Sequence, residues 1–303
     1  MKFLIILNIK LGKQKGEKIK KRIQQHLEKK HIKAEIWFWE YPTQIDWLLE
    51  KAKNQNFDVI IAGGGDGTVH HIGTRLIGTS IILGILPLGS GNGIANHFGI
   101  PPSISQAIDV FNHHEVISID TGLVNGKPFI GFFSIGLDAC VIHTLANQKR
   151  GFWQYLKTAI SIYFGYQPEW VKWENGKEKS SSELLVLAVV NTSQYGNGVK
   201  IAPEAVAQDE KFNLVTLSPI QFWQIPSLIL RAFNGTITQF KGYNHYVIQK
   251  SLNIYRLNTP DFQKGKAQAD GEAIFLPSEI KVEIIPSSLK LLVPANLNKI
   301  LTH

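Results

Sequence analysis

The run Phe57-Asp58-Val59-Ile60-Ile61-Ala62 passes directly into Gly63-Gly64-Gly65-Asp66-Gly67-Thr68, and a helical pattern opens near Val69. A short apolar run closed by a turn reads as a buried strand of a parallel sheet. Glycines carry no Cβ and adopt positive φ, so ligand oxygens can approach their backbone N–H groups closely. A helix starting just past the turn adds the positive end of its dipole, and the combination suits a phosphate. Asp66 places one carboxylate among those donors, where a phosphate-bound Mg2+ or the proton of a reacting hydroxyl would be met. An ordinary turn needs one or two small residues, not a run of them closed by Thr68.

Competing patterns are missing from the sequence. It contains no GxxxxGK[ST], and neither glycine turn has the GxGxxG spacing of a dinucleotide site. Ser90 lies between Gly89 and Gly91 without the GxSxG spacing of a hydrolase elbow. The pairs His70-His71 and His113-His114 lack metal-site spacing.

Outward from the turn, strands and helices alternate as in a parallel α/β sheet. Strands are expected at Lys2–Asn8, Ala34–Trp39 and Ser80–Leu86. Helices are expected at Glu17–Lys30, from a Thr43 cap to Asn54, at Asn92–Phe98 and at Ser103–Phe111. The character changes near Thr121. Glu115–Leu123 and Lys127–Ser134 read as a hairpin about Asn125-Gly126. Further short strands follow at Glu183–Asn191, Phe212–Leu217, Tyr243–Ile248, Ser251–Leu257, Ala273–Leu276 and Glu279–Ile285. Helical candidates Gly151–Gly165 and Phe222–Phe233 interrupt them. The expected architecture is an α/β domain over 1–121 and an antiparallel β-sandwich domain over 122–286, with 287–303 able to return to the first. Lys179–Ser182 reads as a low-complexity linker.

The chain has 303 residues, 44% of them hydrophobic and 18% charged, the profile of a globular protein with a sizeable core. Its single cysteine, Cys140, cannot form an internal disulfide, so a reducing, cytoplasmic location is expected. No uncharged apolar stretch reaches the ~18–20 residues of a membrane-spanning helix. The formal net charge of +8 favours anionic partners. Much of it lies in Lys10–Lys33, where Ile19, Ile23 and Leu27 recur at four-residue spacing. That segment reads as an amphipathic helix with a solvated basic face, which also suits an anionic membrane surface.

Gly63–Thr68, followed after the next strand by Pro87-Leu88-Gly89-Ser90-Gly91-Asn92, resembles the diacylglycerol kinase catalytic-domain family of bacterial lipid kinases and sphingosine kinases. Further blocks match in order: Asp120, Ser134-Ile135-Gly136-Leu137-Asp138-Ala139, Asn191 with Tyr195-Gly196-Asn197-Gly198, and Asp270-Gly271-Glu272. The resemblance implies a phosphofructokinase-like first domain, a β-sandwich second domain and a catalytic cleft between them. It implies ATP and Mg2+ as cofactors and a lipid alcohol as acceptor. By the same carry-over, Asn8, Gly12, Gly64, Gly65, Gly67, Thr68, Ser90 and Asn92 hold the nucleotide. Asp66 serves metal and catalysis, Glu272 is the general base, Asp209 belongs to a structural metal site, and Asp120 and Asp138 lie toward the acceptor. A peripheral membrane surface and no nucleic acid are the expected partners, and a homodimer is allowed.

The sequence also departs from the family pattern. Ile9 and Leu11 replace Pro and Ser of the first nucleotide turn, Gly93 stands where many bacterial members carry Asp, and Glu210 replaces a Gly. A related NAD kinase-like enzyme and a nucleotide- or lipid-binding module without catalysis remain as alternatives. The segment Gly151–Trp173, rich in Phe, Tyr and Trp, suits either a sandwich core or a bilayer interface.

Overall fold

The computed structural model of the protein describes residues 1–9, 13–146, 148, 151–176 and 178–295. Two compact units are present, Met1–Ile119 with the chain end from Ser287, and Asp120–Pro286.

In the first unit, β1 (Phe3–Asn8), α1 (Lys13–Lys29), β2 (Ala34–Trp39), α2 (Gln44–Asn54), β3 (Val59–Gly64), α3 (Asp66–Leu76) and β4 (Ile82–Pro87) alternate in order. Two short helices follow, α4 (Gly93–His97) and α5 (Ile104–Asp109). The strands are parallel in the order β2-β1-β3-β4. β1, β3 and β4 are almost continuous apolar runs because helices cover both faces of a parallel sheet. Ile23 and Leu27 of α1 are buried, and Lys15, Lys18, Lys21 and Lys29 are exposed, as the amphipathic pattern requires. Lys30 pairs with Asp109 at 2.6 Å, and both partners stay half-exposed, so the pair contributes little.

The second unit holds β5 (His114–Val124), β6 (Lys127–Phe129), β7 (Phe132–Gly136), α6 (Leu137–Leu145), α7 (Phe152–Tyr163), β8 (Glu169–Asn175), β9 (Glu178–Leu184) and β10 (Val186–Val190). Then come β11 (Gln194–Gly196), β12 (Val199–Lys200), β13 (Phe212–Leu217), α8 (Ile225–Asn234), β14 (Tyr243–Ile248), β15 (Ser251–Asn258), β16 (Lys266–Ala269), β17 (Glu272–Phe275) and β18 (Glu279–Pro294). β5 begins in the first unit, and β18 ends there, where Leu291 lies opposite Leu83 of β4. One sheet runs β14-β13-β10-β7-β16-β17, antiparallel throughout. The start of β18, β15, β8 and β9 form the other.

Phe133, Ile135, Leu187 and Phe212 from the first sheet meet Val171, Leu252, Ile254 and Val282 from the second in one buried core. Each such side chain contributes roughly 1.5–3 kcal/mol of burial. The opposite face of the six-stranded sheet is covered by α6, α7 and α8 through Cys140, Ala188, Val190, Val215 and Ala232. Within the unit, Arg256 and Glu169 form a buried bidentate ion pair at 2.7 Å, and Arg256 also donates to the Lys266 and Gln263 carbonyls. Hydrogen bonds of this kind, added to the ion pair, are what make a buried charge tolerable.

The α/β plus antiparallel sandwich architecture is as the sequence pattern indicated, with local corrections. α3 begins at Asp66, not near Val69, because extended Gly65 caps it and its carbonyl accepts the Thr68 and Val69 N–H groups. Thr43 precedes α2 but makes no side-chain cap; the Gln44 side chain accepts the Glu40 and Tyr41 N–H groups instead. Lys127–Ser134 is two strands in different sheets, broken at Ile130-Gly131. Lys179–Ser182 is no linker: it lies in β9, an edge strand whose charged and hydroxylic side chains suit a solvated border. β18 runs well past Ile285, and β8, β11, β12 and β16 were not expected. Among the described residues no helix is long and apolar enough to cross a membrane.

Candidate active site

In the first unit the chain crosses from one side of β1 to the other, with β2 beside one edge and β3 beside the other. The register pairs Leu7 with Gly63 and Gly64 with Pro87, so Asn8 and both glycine turns emerge at the carboxyl edge of the sheet. Ligands of open α/β sheets bind at this edge, where strand order reverses. Asn8 Nδ2 donates to Thr68 Oγ1 at 3.3 Å, joining the end of β1 to the first turn of α3.

The two turns touch backbone to backbone. Leu88 N donates to Gly64 O at 2.9 Å. A Cβ on Gly65 would stand 3.1 Å from Gly89 Cα, and one on Gly89 would collide with Gly65 Cα. A Cβ on Gly64 would fall on the Thr68 hydroxyl. Thr68 is buried, whereas Ser90 is exposed at the tip of the second turn. Asn92 takes φ 51° and folds back: Gly89 N donates to its Oδ1 at 3.1 Å, and its Nδ2 donates to Gly89 O at 3.0 Å. Gly93 is buried in the start of α4. Gly12, like Leu11, lies outside the described residues.

A cradle stripped of side chains, at the N-terminus of an eleven-residue helix, fits a polyphosphate. Asp66 is the first residue of that helix and the acid of its first turn. A divalent ion that arrives with the phosphates would therefore find one protein carboxylate there.

In the second unit, the motif residues converge on Ile130–Phe132. The buried Asp270 carboxylate accepts N–H groups from Ile130 at 2.9 Å, Gly131 at 2.7 Å and Phe132 at 3.0 Å. Asn191 Nδ2 donates to both the Asp120 and Ile130 carbonyls, and Asn191 N donates to Gly131 O. The Asp120 carboxylate, fully buried, accepts the Glu210 N–H at 2.8 Å. Glu210 takes φ 59°, keeping with a side chain the left-handed conformation that a glycine adopts readily. Exposed Asp209 turns back onto the Lys211 N–H at 3.1 Å. Among the described residues no three His, Cys, Asp or Glu side chains are grouped to hold a metal ion.

Glu272 opens β17, paired with Ala269 across a two-residue turn in which Asp270 and Gly271 both have positive φ. Such a turn matches the twist of the flanking strands. Two residues that the sequence did not single out support it. His143 Nε2 lies 2.9 Å from Ala267 O and 3.0 Å from Ile274 O; both are acceptors, so this nitrogen carries the proton. Gln268 Oε1 accepts the Gly271 N–H, while its Nε2 donates to Ser134 Oγ and Asp138 Oδ2. Ser134 in turn donates to Asp138 Oδ2 at 2.5 Å. Burial pushes the Asp138 carboxyl up to about 6, against the hydrogen bonds from Ser134, Gln268 and Ala139 N. Nothing in the local sequence signals His143 or Gln268, since each acts across strands.

Residues 2–124 match the diacylglycerol kinase catalytic domain, and residues 131–293 match the YegS C-terminal NAD kinase beta sandwich-like domain. The chain belongs to the diacylglycerol kinase catalytic-domain family, in its two-domain YegS-type form. It is 28% identical over 173 residues to a Klebsiella pneumoniae (strain 342) protein named "Probable lipid kinase YegS-like", covering 55% of this chain and 58% of that one. A Yersinia enterocolitica protein of the same name is 26% identical over 308 residues, 97% of each chain. A solved structure of a diacylglycerol kinase from Bacillus anthracis str. Sterne superposes with a TM-score of 0.69 at 20% identity, covering 96% of each chain. That likeness is one of fold.

Proposed function

We propose that the protein is an ATP-dependent lipid kinase that transfers the γ-phosphoryl group to the hydroxyl of a lipid alcohol, diacylglycerol-like or sphingoid-like. The observation that carries this reading is the backbone contact of the Gly63–Gly67 and Leu88–Gly91 turns at the N-terminus of α3. The family relationship supports it.

In this reading the N–H groups of Gly64, Gly65 and Gly67 and the hydroxyls of Thr68 and Ser90 bind phosphate oxygens. Asn8 holds Thr68 in place, and Asn92 closes the turn that presents Ser90. Asp66 is the protein ligand for a phosphate-bound Mg2+, which supplies charge neutralisation during transfer. Glu272 accepts the proton of the acceptor hydroxyl, and the Asp270 and Gln268 contacts fix the turn that carries it. Asp120 is assigned to the scaffold, because its carboxylate is buried on a backbone N–H. Asp138 tunes the same turn through Ser134 and Gln268. Phosphoryl transfer needs chiefly positioning and charge stabilisation, and these are what the two turns offer.

A screen of lipid alcohols with labelled ATP, with NAD as a further acceptor and products identified by mass, tests the reading. A phosphorylated lipid supports it. Phosphorylated NAD alone, or nucleotide binding without any transfer, rejects it.

A further inference from the structure

We infer that the outer face formed by α7 and the Phe222–Asn234 segment is a docking surface for an anionic lipid bilayer. This rests on the lipid-kinase reading for its purpose, though not for its physics. α7 has the sequence Phe-Trp-Gln-Tyr-Leu-Lys-Thr-Ala-Ile-Ser-Ile-Tyr, yet none of its residues is buried. In α8 only Ala232 is buried. The inner sides of both helices pack on the six-stranded sheet through Ile162, Tyr163 and Leu228. The helices are held side by side: Phe152 meets Phe233 at 5.3 Å, Phe164 meets Phe222 at 5.8 Å, and the Tyr163 hydroxyl donates to Ile220 O.

Their outer sides carry large apolar side chains in one patch. Trp153, Lys157, Ile160 and Phe164 recur at helical spacing on one side of α7, with Trp153 78% and Phe164 67% exposed. Trp223 at 71% and Leu230 at 61% continue the patch on the neighbouring segment. Scattered exposed apolar residues are ordinary, but a contiguous patch built on two adjoining helices marks a surface that something covers.

Charge decides what covers it. The sequence has no Asp or Glu from Ala139 to Pro168, nor from Lys211 to Pro260. The helices themselves carry Lys157 and Arg231. Tryptophan suits the boundary between headgroups and acyl chains, and lysine reaches from an apolar face to anionic headgroups. A second copy of the same face would instead set cations against cations, which disfavours self-association there.

Vesicle flotation tests this on the full chain, with phosphatidylcholine vesicles and with phosphatidylcholine–phosphatidylglycerol vesicles. The wild type is expected to float with the anionic vesicles and less with the neutral ones. The Trp153→Glu/Leu230→Glu double variant is expected to lose about tenfold or more of that partition. Leu257→Glu, which charges an exposed leucine on β15, should float as the wild type does. Circular dichroism and transfer to a short-chain, monomerically dispersed lipid alcohol should be unchanged in the double variant. Flotation of the double variant equal to the wild type overturns the inference, as does an equal loss in Leu257→Glu. A vesicle-free dimer that dissociates in the double variant also overturns it, because a second copy then covers the face. If the wild type floats as expected but phosphorylates no lipid alcohol, the docking surface stands and the kinase reading falls.

Discussion

Gly65 and Gly89 meet with no room for a side chain between them: a Cβ added to Gly65 would lie 3.1 Å from Gly89 Cα. The contact fixes the separation of the two turns that emerge from β3 and β4. Gly89→Ala forces its methyl into the Gly65 backbone and to 2.9 Å from Asn92 Oδ1, so the turns must part. The expected result is a stability loss of roughly 1–3 kcal/mol together with a marked loss of nucleotide binding. Gly151→Ala, where nothing lies within 4 Å, is the matching control and should stay within about 0.5 kcal/mol of wild type. Denaturant titration and nucleotide calorimetry on both variants check this.

Asp66 is the acid of the first turn of α3, and Gly93 offers no second carboxylate nearby in sequence. Asp66→Asn should keep the fold and lower the turnover number by ~10²–10³, the usual scale for losing one charge-stabilising group. Turnover near the wild-type value in the purified variant would remove Asp66 from the mechanism.

Asp270 and Glu272 sit two residues apart and should fail in opposite ways. Asp270→Asn cannot accept all three buried N–H groups as the carboxylate does, and a loss of about 2–4 kcal/mol is expected. Glu272→Gln should leave stability alone and slow turnover by ~10²–10⁴, with nucleotide affinity retained. Paired unfolding and kinetic measurements separate them. A Glu272→Gln enzyme that turns over normally would make Glu272 a structural carboxylate.

Asp138 gives a pH signature. Its carboxyl rises from 3.8 in the unfolded chain to about 6 in the folded one, chiefly by burial. Between these values the folded state holds a proton that the unfolded state releases, so stability falls as pH rises from about 4 to about 6 and levels off above. The full difference is about 3 kcal/mol. Asp138→Asn should lack this slope, which denaturation midpoints across that pH range would show. Parallel profiles for the two proteins would mean that Asp138 ionises as freely in the fold as outside it.

The features legible in the sequence are those made by neighbouring residues. Glycine runs at strand ends, the Asp270-Gly271 turn and the continuous apolar strands all follow from local backbone chemistry. Where tertiary contacts dominate, the sequence misleads. The Lys127–Ser134 run looks like one strand, yet the Asp270 carboxylate draws off the N–H groups at its middle and divides it between two sheets. Glu178–Leu184 is polar because it lies at a sheet edge, so its composition imitates a linker. Asp120, Asn191 and Asp270 are recognisable one by one, but nothing along the chain shows that Asn191 ties the Asp120 carbonyl to the Ile130–Phe132 backbone that Asp270 holds.

β18 closes the sheet that carries the glycine turns with residues from the far end of the chain, Leu291 opposite Leu83. During synthesis, β1 to β4 leave the ribosome long before this partner exists, whereas Asp120–Pro286 is complete in one continuous stretch. The inserted unit is therefore the part able to mature first, and the sheet around the glycine turns waits with an open edge beside β4. A chain truncated after residue 286 and released from the ribosome should protect its second unit from protease while the first remains cleavable. The expected order of maturation is thus second unit first, although its residues are translated after β1 to β4.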